Sequence, residues 1–103
     1  MSITTASITT AGNIVYNSSG NTAITWLSLN NWGPANVTAN LFVVPNGNVS
    51  STSNQVYYTL LLQSGDTYQI YAANEKLILA NGDFVQVDAT SNTVTAVTSY
   101  TSI

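Results

Sequence analysis

Apolar residues in this chain recur with a period of two almost from end to end. That is the mark of strands with one face buried and one face wet. From Val37 to Val43 the odd positions Val37, Ala39, Leu41 and Val43 are apolar, with Thr38 and Asn40 between them. Val85, Val87 and Ala89 form an inward set alternating with Gln86 and Asp88, and in the last strand Val94, Ala96, Thr98 and Tyr100 alternate with Thr93, Thr95, Val97 and Ser99. In Gln55 to Gln63 the even set Val56, Tyr58, Leu60 and Leu62 reads as the buried face. Between Thr22 and Leu29 apolar side chains occupy both phases, with Ile24 and Trp26 on one face and Ala23, Leu27 and Leu29 on the other. Such a strand is expected to be covered on both sides, with Trp26 in the core.

Turn signals separate these runs. Asn17-Ser18-Ser19-Gly20-Asn21, Asn31-Trp32-Gly33-Pro34, Asn46-Gly47-Asn48, Ser64-Gly65-Asp66, Asn81-Gly82-Asp83 and Ser91-Asn92 supply residues that tolerate positive φ or bond their own turn backbone. β-branched residues disfavour helix. Ala72-Ala73-Asn74-Glu75-Lys76-Leu77 is the one helical candidate, and it is too short for more than a turn. The 103 residues therefore read as one domain, an antiparallel β-sandwich of jelly-roll type with about eight strands. The Thr-rich residues 1–12 read either as an edge strand or as an arm reaching a neighbouring subunit.

Composition removes whole classes of function. Lys76 is the only cation, against Asp66, Glu75, Asp83 and Asp88, for a net charge of −3. One lysine cannot neutralise a phosphate backbone or hold an anionic membrane surface, so neither nucleic acid nor membrane is expected as a partner. No Cys and no His means no disulfide, no thiolate nucleophile and no zinc site of the usual kinds, and no cofactor is expected. No apolar run reaches the ~18 residues of a membrane-crossing helix. Met1 to Thr5 shows neither the basic region nor the apolar core of a secretory signal, so any exit from the producing cell is expected by another route, such as lysis. The three sequons, at Asn17, Asn36 and Asn48, match what so much Asn, Ser and Thr yields by chance, and carry no weight.

Catalysis finds little to work with. Asp83 and Asp88 are an odd number of residues apart, which puts them on opposite strand faces roughly 16 Å apart. Asp66 and Asp83 each follow a Gly, where Asp commonly serves the turn backbone. A calcium site would need the carboxylates to converge through the fold. No enzyme is expected. The aromatic residues leave a candidate interface or ligand surface at Trp32, Tyr57 and Tyr71, because Trp and Tyr favour interfaces and also stack on sugars. Trp32 sits in a turn, where it is free to be exposed. Sheet edges are normally protected by Lys, Pro or inward charge, and this chain has almost none of these. Edges of this kind are expected to be covered by an oligomer or a larger assembly.

The segment from Glu75 to Ala89, with Leu77-Ile78-Leu79-Ala80-Asn81-Gly82-Asp83 leading into a strand and then a closing Val/Thr-rich strand, resembles small structural proteins of tailed bacteriophages, including marine cyanophages. Thr22 to Asn30, Ala35 to Ala39 and the apolar Leu41-Phe42-Val43-Val44-Pro45 look like that family's two earlier strands. The likeness covers roughly residues 14 to 103. It implies a β-sandwich that assembles with itself on a virion, with a trimer as first expectation and other virion proteins as partners. It carries over no catalytic or cofactor residue. The rival expectation is a carbohydrate-binding or receptor-recognition module, with a glycan as ligand.

Overall fold

A computed structural model describes residues 2–70 and 77–103. Nine strands occur among them: β1 (Ser2–Ile8), β2 (Asn13–Asn17), β3 (Thr22–Asn31), β4 (Val37–Val44), β5 (Gln55–Leu62), β6 (Thr67–Ile70), β7 (Leu77–Leu79), β8 (Phe84–Ala89) and β9 (Val94–Ser102). A single 3-10 turn, Thr52–Asn54, precedes β5. The helical candidate lies almost wholly outside the described residues, and Leu77 at its end begins β7.

The strands form two antiparallel sheets packed face to face. One runs β1-β9-β3-β6, with β7 also paired to β3, and the other runs β2-β8-β4-β5. β6 lies beside Leu27 to Asn30 and β7 beside Thr22 to Ile24, so the two share one position along β3. Eight strand positions therefore accommodate nine strands. The order, with most successive strands crossing between sheets, β4 and β5 forming a pair within one, and the last strands inserted beside the first, is that of a jelly roll. Residues 2–8 form an edge strand paired with β9 of their own chain.

The alternation seen in sequence places the core. Val37, Ala39 and Leu41 of β4, Val85, Val87 and Ala89 of β8, and Val94 and Ala96 of β9 are buried in it, with Ile8, Val15, Leu62, Ile70 and Leu79. Two strands depart from the expected faces, each at a bulge. In β3 the pairing with β9 steps from Ile24–Tyr100 to Trp26–Ser99 and leaves Thr25 as the extra residue. The phase flips there. Ile24 joins Leu27 and Leu29 in the core, while Trp26, expected inside with Ile24, is half-buried on the outer face.

In β5 the pairing steps from Ala39–Leu60 to Leu41–Tyr57, so Tyr58 and Thr59 together oppose Asn40. Thr59 takes a φ of 50°, uncommon for a β-branched residue. Its N–H donates to Asn40 Oδ1 at 2.8 Å, and Asn40 Nδ2 donates to Asp88 Oδ1 at 2.7 Å. Tyr57 consequently faces in, and Leu60 and Leu62 face in beyond the bulge. Val56 and Tyr58, expected inside, are exposed.

Candidate functional site

Four loops gather at one end of the sandwich: 9–12, 32–36, 63–66 and 90–93. They meet because the β1–β2, β3–β4, β5–β6 and β8–β9 connections all cross between the sheets on that side. The 9–12 loop is tied to 90–93 by the Thr10 N–H, which donates to Asn92 Oδ1 at 3.2 Å, and the other three loops are joined by Asn31. It continues the inward phase of Leu27 and Leu29, and it has no exposed surface. A buried amide must fill its hydrogen-bonding capacity. Asn31 does so, donating to the carbonyls of Ala35 (2.8 Å) and Leu62 (3.1 Å) and accepting from the Gly33 N–H (3.1 Å) and the Thr93 hydroxyl (2.9 Å). Its backbone N–H donates to the Asp66 carbonyl at 3.0 Å, and its carbonyl accepts from Gly65 at 2.8 Å.

Trp32 follows directly and projects from this base. Its backbone N–H donates to the Thr93 carbonyl at 3.0 Å, yet the residue is 62% exposed. Gly33 lies against Thr93, where a Cβ would come within 2.7 Å of that side chain. The Ser64 hydroxyl donates to the Gly33 carbonyl at 2.6 Å, and the Ser64 N–H to Asn36 Oδ1 at 3.1 Å. An exposed indole is thus carried on a turn fixed from several directions. Chemically this is an exposed aromatic surface, with the Asn36 and Ser64 side chains bonded within the turn that carries it. It offers no nucleophile–base pair.

Tyr57 belongs to a different place. It packs against the core and meets Tyr68 edge-on, with ring centroids 5.6 Å apart and planes at 74°. The Tyr68 hydroxyl donates to that of Tyr57 at 3.5 Å. This pair closes the side of the sandwich between β5 and β6. Tyr57 is five residues from Leu62, the β5 residue bonded to Asn31, or about 15 Å at strand rise. The structure therefore does not bring Trp32 and Tyr57 together. Tyr71 lies outside the described residues.

The carboxylates occupy separate settings. Asp66 works through its backbone in the β5–β6 turn. At the other end of the sandwich Asp83 accepts from the N–H groups of Asn46 and Ala80, both at 2.9 Å, which is the turn role expected of it. Asp88 is held by Asn40 on the outer face of β8. Glu75 lies outside the described residues, and among those described no three potential metal ligands cluster. A surface depression of about 350 Å³ is lined by Gly47, Asn48, Val49, Ser51, Ser53 and Asn54, none of them ionisable.

Sequence reasoning singled out Trp32 and missed Asn31, although the signal was present. An Asn in phase with Leu27 and Leu29 marks a polar residue sent inward, which requires a built set of partners. Comparison with protein-family models, curated proteins and solved structures found no significant match.

Proposed function

We propose that this chain is a non-enzymatic structural component of a tailed-phage particle, located on the virion and acting through self-association and contacts with other virion proteins. One observation carries the self-association. None of the edge strands β1, β2, β5, β6 or β7 bears a charged residue, and Ile3, Ile14, Val56, Tyr58, Leu61 and Ile78 stand exposed along them. The described charges sit instead in two turns and on the inner strand β8. Edges left in this state favour being covered by protein. Jelly rolls serve in viral capsids and in lectins alike, so the fold is compatible with the assignment without choosing it. The placement on a phage particle, and the trimer, rest on the sequence resemblance alone.

Light scattering of the full chain at about 100 μM, a concentration chosen to reveal even μM association, tests the self-association. A mass above one chain is expected, and a clean monomer overturns it. Peptides of this chain recovered from purified particles would test the location.

The exposure of Trp32 favours a second reading, a carbohydrate-binding or receptor-recognition module. Sugar rings stack on exposed aromatic faces, and here the indole is presented on a fixed turn. Binding on a glycan array that disappears with Trp32→Ala would move the assignment to that reading. No binding across the array leaves Trp32 as a protein contact.

A further inference from the structure

The four sheet edges are not equivalent, and the difference identifies one of them as the place of self-contact. Natural sheets blunt an edge by shortening it, bulging it or charging it. β2 is five residues long and is shifted in register between Ile14 and Tyr16. β5 is bulged at Tyr58–Thr59, with an Asn40 side chain bonded to the displaced backbone. The edge beside β3 consists of the short strands β6 and β7, of four and three residues.

β1 has none of these devices. Its register with β9 runs unbroken from Ser2–Tyr100 to Ile8–Val94. It contains no Pro, no Gly and no charge. Ile3 on its outer face is 70% exposed. Seven residues in regular extended form leave alternate N–H and C=O groups directed away from β9, ready to continue the ladder.

We propose that the β1 edge pairs antiparallel with the β1 edge of a second copy, about a two-fold axis at Thr5, joining two four-position sheets into one continuous sheet. This inference rests on the self-association reading and specifies its contact. The occupant follows from the strand's own chemistry. A two-fold contact is isologous, so the residue on the axis meets its own copy and a charge there would face its like. An uncharged strand avoids that. Full overlap of residues 2–8 places Thr5 opposite Thr5, Thr4 opposite Ala6, and Ile3 opposite Ser7, so the exposed Ile3 gains cover from a hydroxyl-bearing neighbour. The assembly is then even-numbered, in place of the trimer implied by the resemblance.

The test is solution mass of the full chain beside Thr5→Lys and Thr5→Glu, with circular dichroism and thermal melting to check the fold. Thr5 is exposed in the single chain, so both variants are expected to fold. The unmodified chain should have twice the 10.9 kDa chain mass. Each variant alone should fall to the mass of one chain, and an equimolar mixture should recover the pair, because Lys then faces Glu. A pair that survives Thr5→Lys overturns the β1 contact while leaving self-association standing, and so does a three-chain mass. A monomeric unmodified chain overturns both. Should the variants fail to fold, amide exchange of the unmodified chain decides. Protection of alternate β1 amides that deepens with concentration supports the pairing, and concentration-independent exchange overturns it.

Discussion

At one end of the sandwich the turns around Trp32 close on the amide of Asn31, which has no exposed surface. At the other end they close on the carboxylate of Asp83, which stays half-exposed. Both side chains tie loops from different parts of the chain. Asn31 reaches the Ala35, Leu62 and Thr93 segments, and Asp83 reaches Asn46 and Ala80, with its carbonyl accepting from Ser18 at 2.8 Å. The difference is what replaces each bond when it is lost. Water can enter around Asp83, whereas the partners of Asn31 are largely shut away from it. Burial turns a similar set of bonds into a much stiffer joint, and the exposed indole stands on the stiffer of the two.

The largest effect that follows is from Asn31→Ala. It strands the carbonyls of Ala35 and Leu62, the Gly33 N–H and the Thr93 hydroxyl, and it opens a small void. Unsatisfied buried groups cost about 1–3 kcal/mol each, partly relieved by local rearrangement. A net loss of about 3–4 kcal/mol is expected in urea denaturation, accompanied by faster amide exchange at Trp32 and Gly65. A loss below about 1 kcal/mol, the scale of a solvent-replaced bond, would erase the distinction between the two ends.

Asp83→Ala is the matched experiment at the other end. The N–H groups of Asn46 and Ala80 lose their acceptor, but both bonds lie in exposed surroundings and water takes the place of the carboxylate. About 1 kcal/mol is expected, by the same denaturation measurement. The neighbouring turn is also held by Gly82, whose φ of 84° suits glycine, and by the Gly82 N–H bond to the Ser18 carbonyl at 2.9 Å. A loss as large as that of Asn31→Ala would mean that depth of burial does not govern these joints.

The same contrast explains what was legible in the amino-acid sequence. Strands β4, β8 and β9 keep one phase over the stretches read, and their inward residues could be named without the structure. β3 and β5 each change phase at a bulge. In β5 the apolar residues Val56, Tyr57, Tyr58, Leu60, Leu61 and Leu62 fill both phases, so alternation could not say where the flip occurs. The flip is decided across the sheet, by the Asn40 side chain bonded to Thr59. Trp32 was readable as a turn residue from Asn31-Trp32-Gly33-Pro34, but its exposure depends on Thr93 and Ser64, far away along the chain. Tyr57 and Trp32 share only their aromatic character in the sequence, and their separation depends on strand pairing that no local pattern encodes.

The smallest expected effect is the most informative about function. Trp32→Ala removes a large side chain that lies mostly outside the packed interior, while its backbone bond to Thr93 needs no indole. The Asn31 joint beneath it is untouched, so the change in stability should stay within about 0.5 kcal/mol, as for surface positions generally. Denaturation of the monomeric Thr5→Lys background isolates that number from any contribution of assembly. An indole that contributes nothing to the fold is then free to make the outside contact proposed for it. A loss of about 2 kcal/mol, the scale of a buried aromatic, would instead make Trp32 a packing residue and return the stiffness of this end to structure alone.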